Sequence, residues 1–241
     1  MAGEAAHEDP TLVFIHGGFH RSWVWEPVLD QLKPRGWNTQ TADLPSVAVE
    51  AGPRLGMYDD AEVVHELLGR LNSPKIVVAH SYGAIPVTQV SHEVPQVRHI
   101  VYVAGFQLDV GESLLGTVGG RIPSWWIIDG DSVIVDRPDE IFYNDVQPQT
   151  ATWAQSRLLP SSFAAFTEPV TAAAWRHIPS TYVICERDQS GPQSWQEAMA
   201  QRANRIERLS AGHSPMLSQP KTLAQIIDGI ATRECRRRND D

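Results

Sequence analysis

The chain has 241 residues, 42% of them apolar and 20% charged, enough for one large domain with a sizeable core. Its formal net charge of −9 gives solubility and excludes a broad basic surface for nucleic acid. Two cysteines make no disulfide scaffold, and Glu4, His7, Glu8 and Asp9 leave no apolar leader at the N-terminus, so the expectation is a cytoplasmic protein that neither spans nor binds a membrane.

The elements alternate. An apolar strand is predicted at 11–16, a helix at 23–32 with Ser22 as its N-cap, and a short strand at 37–42 running into Asp43-Leu44-Pro45. A helix over 57–71 follows from the spacing of Val63, Val64, Leu67, Leu68 and Leu71. Then come a strand at 75–79, a helix at 82–92 with Pro86 tolerated in its first turn, and a strand at 98–104. From Phe106 to Trp175 no regular alternation is visible. It resumes with a strand at 181–185, a helix at 193–203, a strand at 205–209 and a helix at 219–231. Arg236-Arg237-Arg238, followed by Asp240 and Asp241, reads as a solvated tail. This pattern predicts an α/β fold: a mostly parallel sheet with helices on both faces. Residues 1–105 and 176–241 form the core of one continuous domain, and 106–175 form an inserted cap over the C-terminal strand ends, where such sheets bind ligands.

The chemistry concentrates at Ala79-His80-Ser81-Tyr82-Gly83, which lies between a strand and a helix. Small residues two before and two after a serine allow a strained turn that lifts the hydroxyl over a helix N-terminus. Ala79 takes the place of the usual first glycine. A nucleophilic serine needs a base, and the base needs an acid to orient it. Glu186-Arg187-Asp188 follows one later strand, and Gly212-His213 follows the next. Asp109 and Glu112, after residue 104, offer another place for the acid. Upstream, His16-Gly17-Gly18 ends the first strand where a backbone N–H can face the nucleophile.

His16-Gly17-Gly18-Phe19-His20 with Trp23 and Trp25, the serine pentapeptide, Cys185-x-x-Asp188 and His213-Ser214-Pro215-Met216-Leu217-Ser218-Gln219-Pro220 together resemble the α/β-hydrolase superfamily. Within it they resemble the branch of plant methyl esterases, plant hydroxynitrile lyases and small bacterial and fungal esterases. Phe142-Tyr143-Asn144-Asp145 matches more loosely in the cap. The resemblance implies Ser81 as nucleophile, His213 as base, Asp188 rather than Glu186 as its partner, and backbone N–H groups of Gly18 and Tyr82 as the oxyanion hole. The hydroxynitrile lyases carry a lysine where this chain has Ser214 and a threonine where it has Gly17, which argues against cyanohydrin cleavage.

The expected activity is therefore serine-dependent hydrolysis of a carboxylic ester or lactone through an acyl-enzyme, with no metal and no organic cofactor. Carbon–carbon bond cleavage, a lyase step or cyclisation of a polyketide-like substrate could use the same triad, and receptor-type members of the superfamily bind a ligand instead. Gly17, Phe19, His20, His80, Trp125, Trp126, Phe142, Tyr143 and Trp153 are candidate pocket residues for a small, apolar or aromatic substrate. Phe163, Phe166 and Trp175 are further cap aromatics that either face the pocket or form the cap's own core. His16 reads as shaping its turn, Trp23 and Trp25 as packing residues, and His65, His92, His99 and His177 as surface or interface residues. Homodimers through the cap or an edge strand are common in such folds.

Overall fold

The computed structural model describes residues 9–48 and 55–240, with 237–240 as backbone. Glu4, His7, Glu8 and Asp241, and the side chains of Arg237, Arg238 and Asp240, lie outside that description. In chain order the strands are β1 (Thr11–Ile15), β2 (Thr39–Ala42), β3 (Lys75–His80), β4 (Val97–Val103), β5 (Trp126–Asp129), β6 (Ser132–Val135), β7 (Ser161–Ser162), β8 (Ser180–Cys185) and β9 (Arg205–Leu209).

Six of them form one sheet in the order β2-β1-β3-β4-β8-β9, every neighbouring pair parallel. Parallel strands joined by helical crossovers are covered on both faces, so the inner ones read as unbroken apolar runs. Every residue of β1, β3 and β8 is buried. Helices Met57–Arg70 and Ala84–Val90 pack against each other, and Glu26–Leu32 packs on the long C-terminal helix Pro220–Asp240. That helix runs well past the expected end at 231.

Two local expectations need correction. Ser22 is not an N-cap: a 3₁₀ turn, Ser22–Trp25, precedes helix Glu26–Leu32, and the Ser22 N–H is itself capped by the Asp43 carboxylate at 2.7 Å. The stretch 106–175, where the sequence shows no regular alternation, holds a second sheet, β5-β6-β7, antiparallel throughout. His99 is not at the surface; it is buried, with Nε2 2.9 Å from Thr181 Oγ1 and Nδ1 3.5 Å from Glu234. His92 and His177 are exposed and stack on each other, ring centroids 6.0 Å apart. Cys185 and Cys235 are both free thiols. Among the described residues no helix is long and apolar enough to cross a membrane.

β7 is short but well tied. Its Ser162 N–H donates to the Ser46 carbonyl at 2.8 Å, and the adjoining Leu159 N–H donates to the Phe19 carbonyl at 2.9 Å. The second sheet is thereby fastened across the C-terminal end of the parallel sheet, beside the turn that follows β1.

Candidate active site

Ser81 leaves the end of β3 with φ +50°, a left-handed conformation that a non-glycine residue holds only when its surroundings impose it. The next turn packs so tightly on β1 that a Cβ at Gly83 would stand 2.1 Å from the His16 carbonyl oxygen. Glycine is required there, whereas Ala79 is accommodated fully buried in β3. Ser81 directly follows β3 and opens a 3₁₀ turn, Ser81–Gly83, that leads into helix Ala84–Val90.

The loops after β8 and β9 bring the other two groups to it. His213 Nε2 lies 3.1 Å from Ser81 Oγ, and His213 Nδ1 lies 2.7 Å from Asp188 Oδ2. The His213 and Asp188 side chains are 5% and 4% exposed, so both work largely out of water. Since Nδ1 donates to the carboxylate, Nε2 is the basic nitrogen facing the serine. The alternative acids are committed elsewhere: Asp109 pairs with Arg176, and Glu112 holds Arg202 through two bonds. Glu186 is exposed.

Three further buried histidines frame the site. Leu44 N–H donates to His16 Nε2 at 2.9 Å, so His16 Nδ1 carries the proton and donates to the Gly17 carbonyl at 2.8 Å. Burial lowers its pKa to about 4, and it pins the Gly17-Gly18 turn as a neutral ring. His20 donates from Nδ1 to the Gly18 carbonyl and accepts from the Tyr143 hydroxyl at Nε2; burial lowers its pKa to about 3. His80 donates from Nε2 to the His213 carbonyl at 2.8 Å, and burial holds its pKa well below the ordinary histidine value. None of the three reaches Ser81 Oγ, so their chemistry is support.

Gly18, Ser81, Tyr82 and His213 line one open cleft. The Tyr82 side chain turns the other way and donates its hydroxyl to Asp60, which also accepts from Ser46 N–H and Oγ at 2.8 and 2.5 Å. Burial raises the Asp60 pKa to about 6. Phe19, at φ +66°, gives its N–H to Ser161 Oγ at 2.8 Å.

Of the predicted pocket residues, Phe19, Trp125, Trp126 and Phe142 face the cleft. The Phe142 ring stacks on His213 with centroids 5.2 Å apart. Gly17, His20, His80 and Tyr143 sit behind the wall as its supports. Trp153 is outside: it is 37% exposed, packed edge-on against Trp23 and covered by Arg157. Phe166 joins the lining, whereas Trp175 binds the Leu108 carbonyl through its indole N–H. Phe106, Leu114, Val118, Pro123, Ser190 and Trp195, none of them a candidate from the sequence, complete the wall. Among the described residues no group of three or more His, Cys, Asp or Glu is arranged to hold a metal ion.

With this geometry in hand, comparison with known proteins gives a consistent answer. A family model described as the alpha/beta hydrolase family matches residues 12–226. A protein named alpha/beta hydrolase nvfD from Aspergillus novofumigatus is 28% identical, covering 92% of this chain and 96% of its own. Methylesterase 7 of Arabidopsis thaliana is 25% identical over 91% of this chain and 95% of its own. The crystal structure of a pyrethroid hydrolase from Sphingobium faniae JZ-2 superposes with a TM-score of 0.81 at 22% identity, covering 92% of this chain and 97% of that one. The fold, the family match and the run of relatives agree: this chain belongs to the alpha/beta hydrolase family, in the branch that includes the plant methylesterases.

Proposed function

We propose that the protein is a serine hydrolase that cleaves a carboxylic ester or lactone of a small, apolar or aromatic molecule through an acyl-enzyme. The observation that carries this reading is the continuous chain of contacts from Ser81 Oγ to His213 Nε2 and from His213 Nδ1 to Asp188 Oδ2. In the first step Ser81 attacks the carbonyl while His213 takes its proton, and the tetrahedral intermediate places its oxyanion toward the N–H groups of Gly18 and Tyr82. His213 then protonates the leaving alcohol. In the second step a water, deprotonated by His213, releases the acid. Asp188 holds the imidazole in the required tautomer and stabilises the imidazolium.

The aromatic wall of the cleft supports an apolar substrate. Besides His213 it presents no charged side chain among the described residues, so a substrate with a free carboxylate near the ester would find no counter-ion. Residues 106–175 act as a cap that supplies most of this wall, and the free thiols fit a reducing cytoplasm. A relative named as a methylesterase supports ester chemistry over other hydrolyses.

The test is turnover of a panel of p-nitrophenyl esters and aryl lactones, with intact mass after fluorophosphonate treatment. Turnover together with a single adduct, both lost in Ser81→Ala by about 10⁶-fold in kcat, is the expected result. Full hydrolysis by Ser81→Ala would end the proposal.

A further inference from the structure

We propose that Gln196 is a positioning residue of this site: its side-chain amide ties the backbone at the end of β8 to the Asp188 carboxylate and holds that carboxylate in the orientation His213 needs. The inference rests on the serine-hydrolase reading above.

Asp188 lies three residues beyond β8, and its carboxylate accepts from three directions. Oδ1 takes the Ser190 N–H at 2.7 Å, while Oδ2 takes His213 Nδ1 at 2.7 Å and Gln196 Nε2 at 2.9 Å. Gln196 projects from helix Gln193–Ala200 and is 8% exposed. Its orientation follows from its other end. Oε1 accepts the Cys185 N–H at 2.9 Å, and a peptide N–H can only donate, so the amide oxygen faces β8 and the NH₂ faces Asp188. The NH₂ also approaches the Cys185 carbonyl at 3.4 Å. No apolar residue could fill this role. It would leave the Cys185 N–H without its acceptor and Asp188 without one of its donors.

The consequence is rotational. With the Ser190 and Gln196 N–H groups engaged, the carboxylate cannot turn about its Cβ–Cγ bond without losing both. An open cleft runs past this spot, lined by Asp188, Ser190, Gln196 and Met199, so a loosened carboxylate would be solvated there. The other groups around the imidazole are the His80 ring at 4.7 Å, the Phe142 ring, and the Asn144 and Asp145 side chains packed against Gly212. Asp145 is paired with Arg187, and His20 lies farther off. None of these contacts involves Gln196.

Two variants of the full chain test the assignment. Gln196→Glu is nearly isosteric and keeps the acceptor for Cys185, but it puts a second acidic group beside Asp188. That favours the imidazolium, so the acid limb of the Ser81 fluorophosphonate labelling rate should move up by about one pH unit. Gln196→Leu removes both bonds. It should lower kcat about tenfold with KM nearly unchanged, and weaken the low-field proton resonance of the His213–Asp188 bond. Folding of each variant is checked by circular dichroism. An unchanged acid limb in a folded Gln196→Glu, or an unchanged low-field proton in a folded Gln196→Leu, overturns the assignment. So does a rate loss that tracks falling Tm with the pH profile unmoved. If wild type shows neither labelling nor ester turnover, the serine-hydrolase reading fails; the low-field proton, compared between wild type and Gln196→Leu, still decides the role of Gln196.

Discussion

Asp60→Asn should remove a pH dependence from the stability of the fold. In the folded chain burial raises the Asp60 pKa to about 6 against an ordinary value of 3.8, even though Ser46 and Tyr82 donate to the carboxylate. Between those two values the folded protein holds a proton that the unfolded chain has released. The contribution to stability is therefore fully present below pH 3.8 and is lost as the pH rises through about 6. At about 1.4 kcal/mol per pH unit the interval amounts to about 3 kcal/mol. Asparagine stays neutral in both states. Its oxygen can accept the Ser46 N–H, and its NH₂ can face the two hydroxyls. Urea unfolding followed by tryptophan fluorescence at several pH values from 4 to 8 would give the difference between variant and wild type, in which all other titrations cancel. The difference should shift in favour of the variant by about 2.5 kcal/mol across the range, with most of the change below pH 6.5. Parallel stability curves would refute the reasoning and mean that Asp60 is already ionised in its buried site.

Three other outcomes follow from the geometry. Asp188→Asn should lower kcat on the order of 10⁴-fold with little change in fold, because the wrong imidazole tautomer is then favoured; steady-state rates and circular dichroism check it. Gly212→Ala would place a Cβ 2.1 Å from Asn144 Oδ1 and 2.6 Å from Asp145 Oδ1. It should cost about 1–3 kcal/mol and slow the labelling of Ser81, with partial recovery on adding Asn144→Ala. Trp195 stands in the wall shared by the catalytic cleft and the smaller cleft beside Asp188. Trp195→Ala should raise the octanoyl-to-acetyl ratio of kcat/KM for p-nitrophenyl esters about tenfold. An unchanged ratio would mean that the indole does not separate the two spaces.

What could be read from the chain was whatever is enforced locally. β9 follows from its own five residues, and the bounds expected for it are those observed. The serine turn is legible because its strain needs small neighbours, and Gly83 meets that need against the His16 carbonyl. Choosing Asp188 over Glu186 took the family resemblance, since both acids follow β8 closely and only the chain's path brings one of them to His213. The second sheet was invisible for a physical reason. Ile127, Ile128 and Ile134 are exposed, so β5 and β6 lack the apolar-in, polar-out alternation that marks a half-buried strand, and β7 spans two serines. Asp60 was hidden by its position in the first turn of a helix, where acids are usually solvated. Gln196 gave no signal, because its function depends on two partners that a helical glutamine does not announce.

The bond from Phe19 N–H to Ser161 Oγ spans 142 residues of chain. The turn after β1 looks like the most local piece of the site, yet this bond reaches far along the chain. His16 and His20 hold the rest of the turn through nearby bonds to Gly17, Gly18 and Leu44, whereas the acceptor for the Phe19 N–H belongs to a segment far along the chain. Bringing the two segments together closes a long loop, whose cost in chain entropy grows only slowly with its length. The turn beside the nucleophile thus has its full set of bonds only when the middle third of the chain has returned to the first.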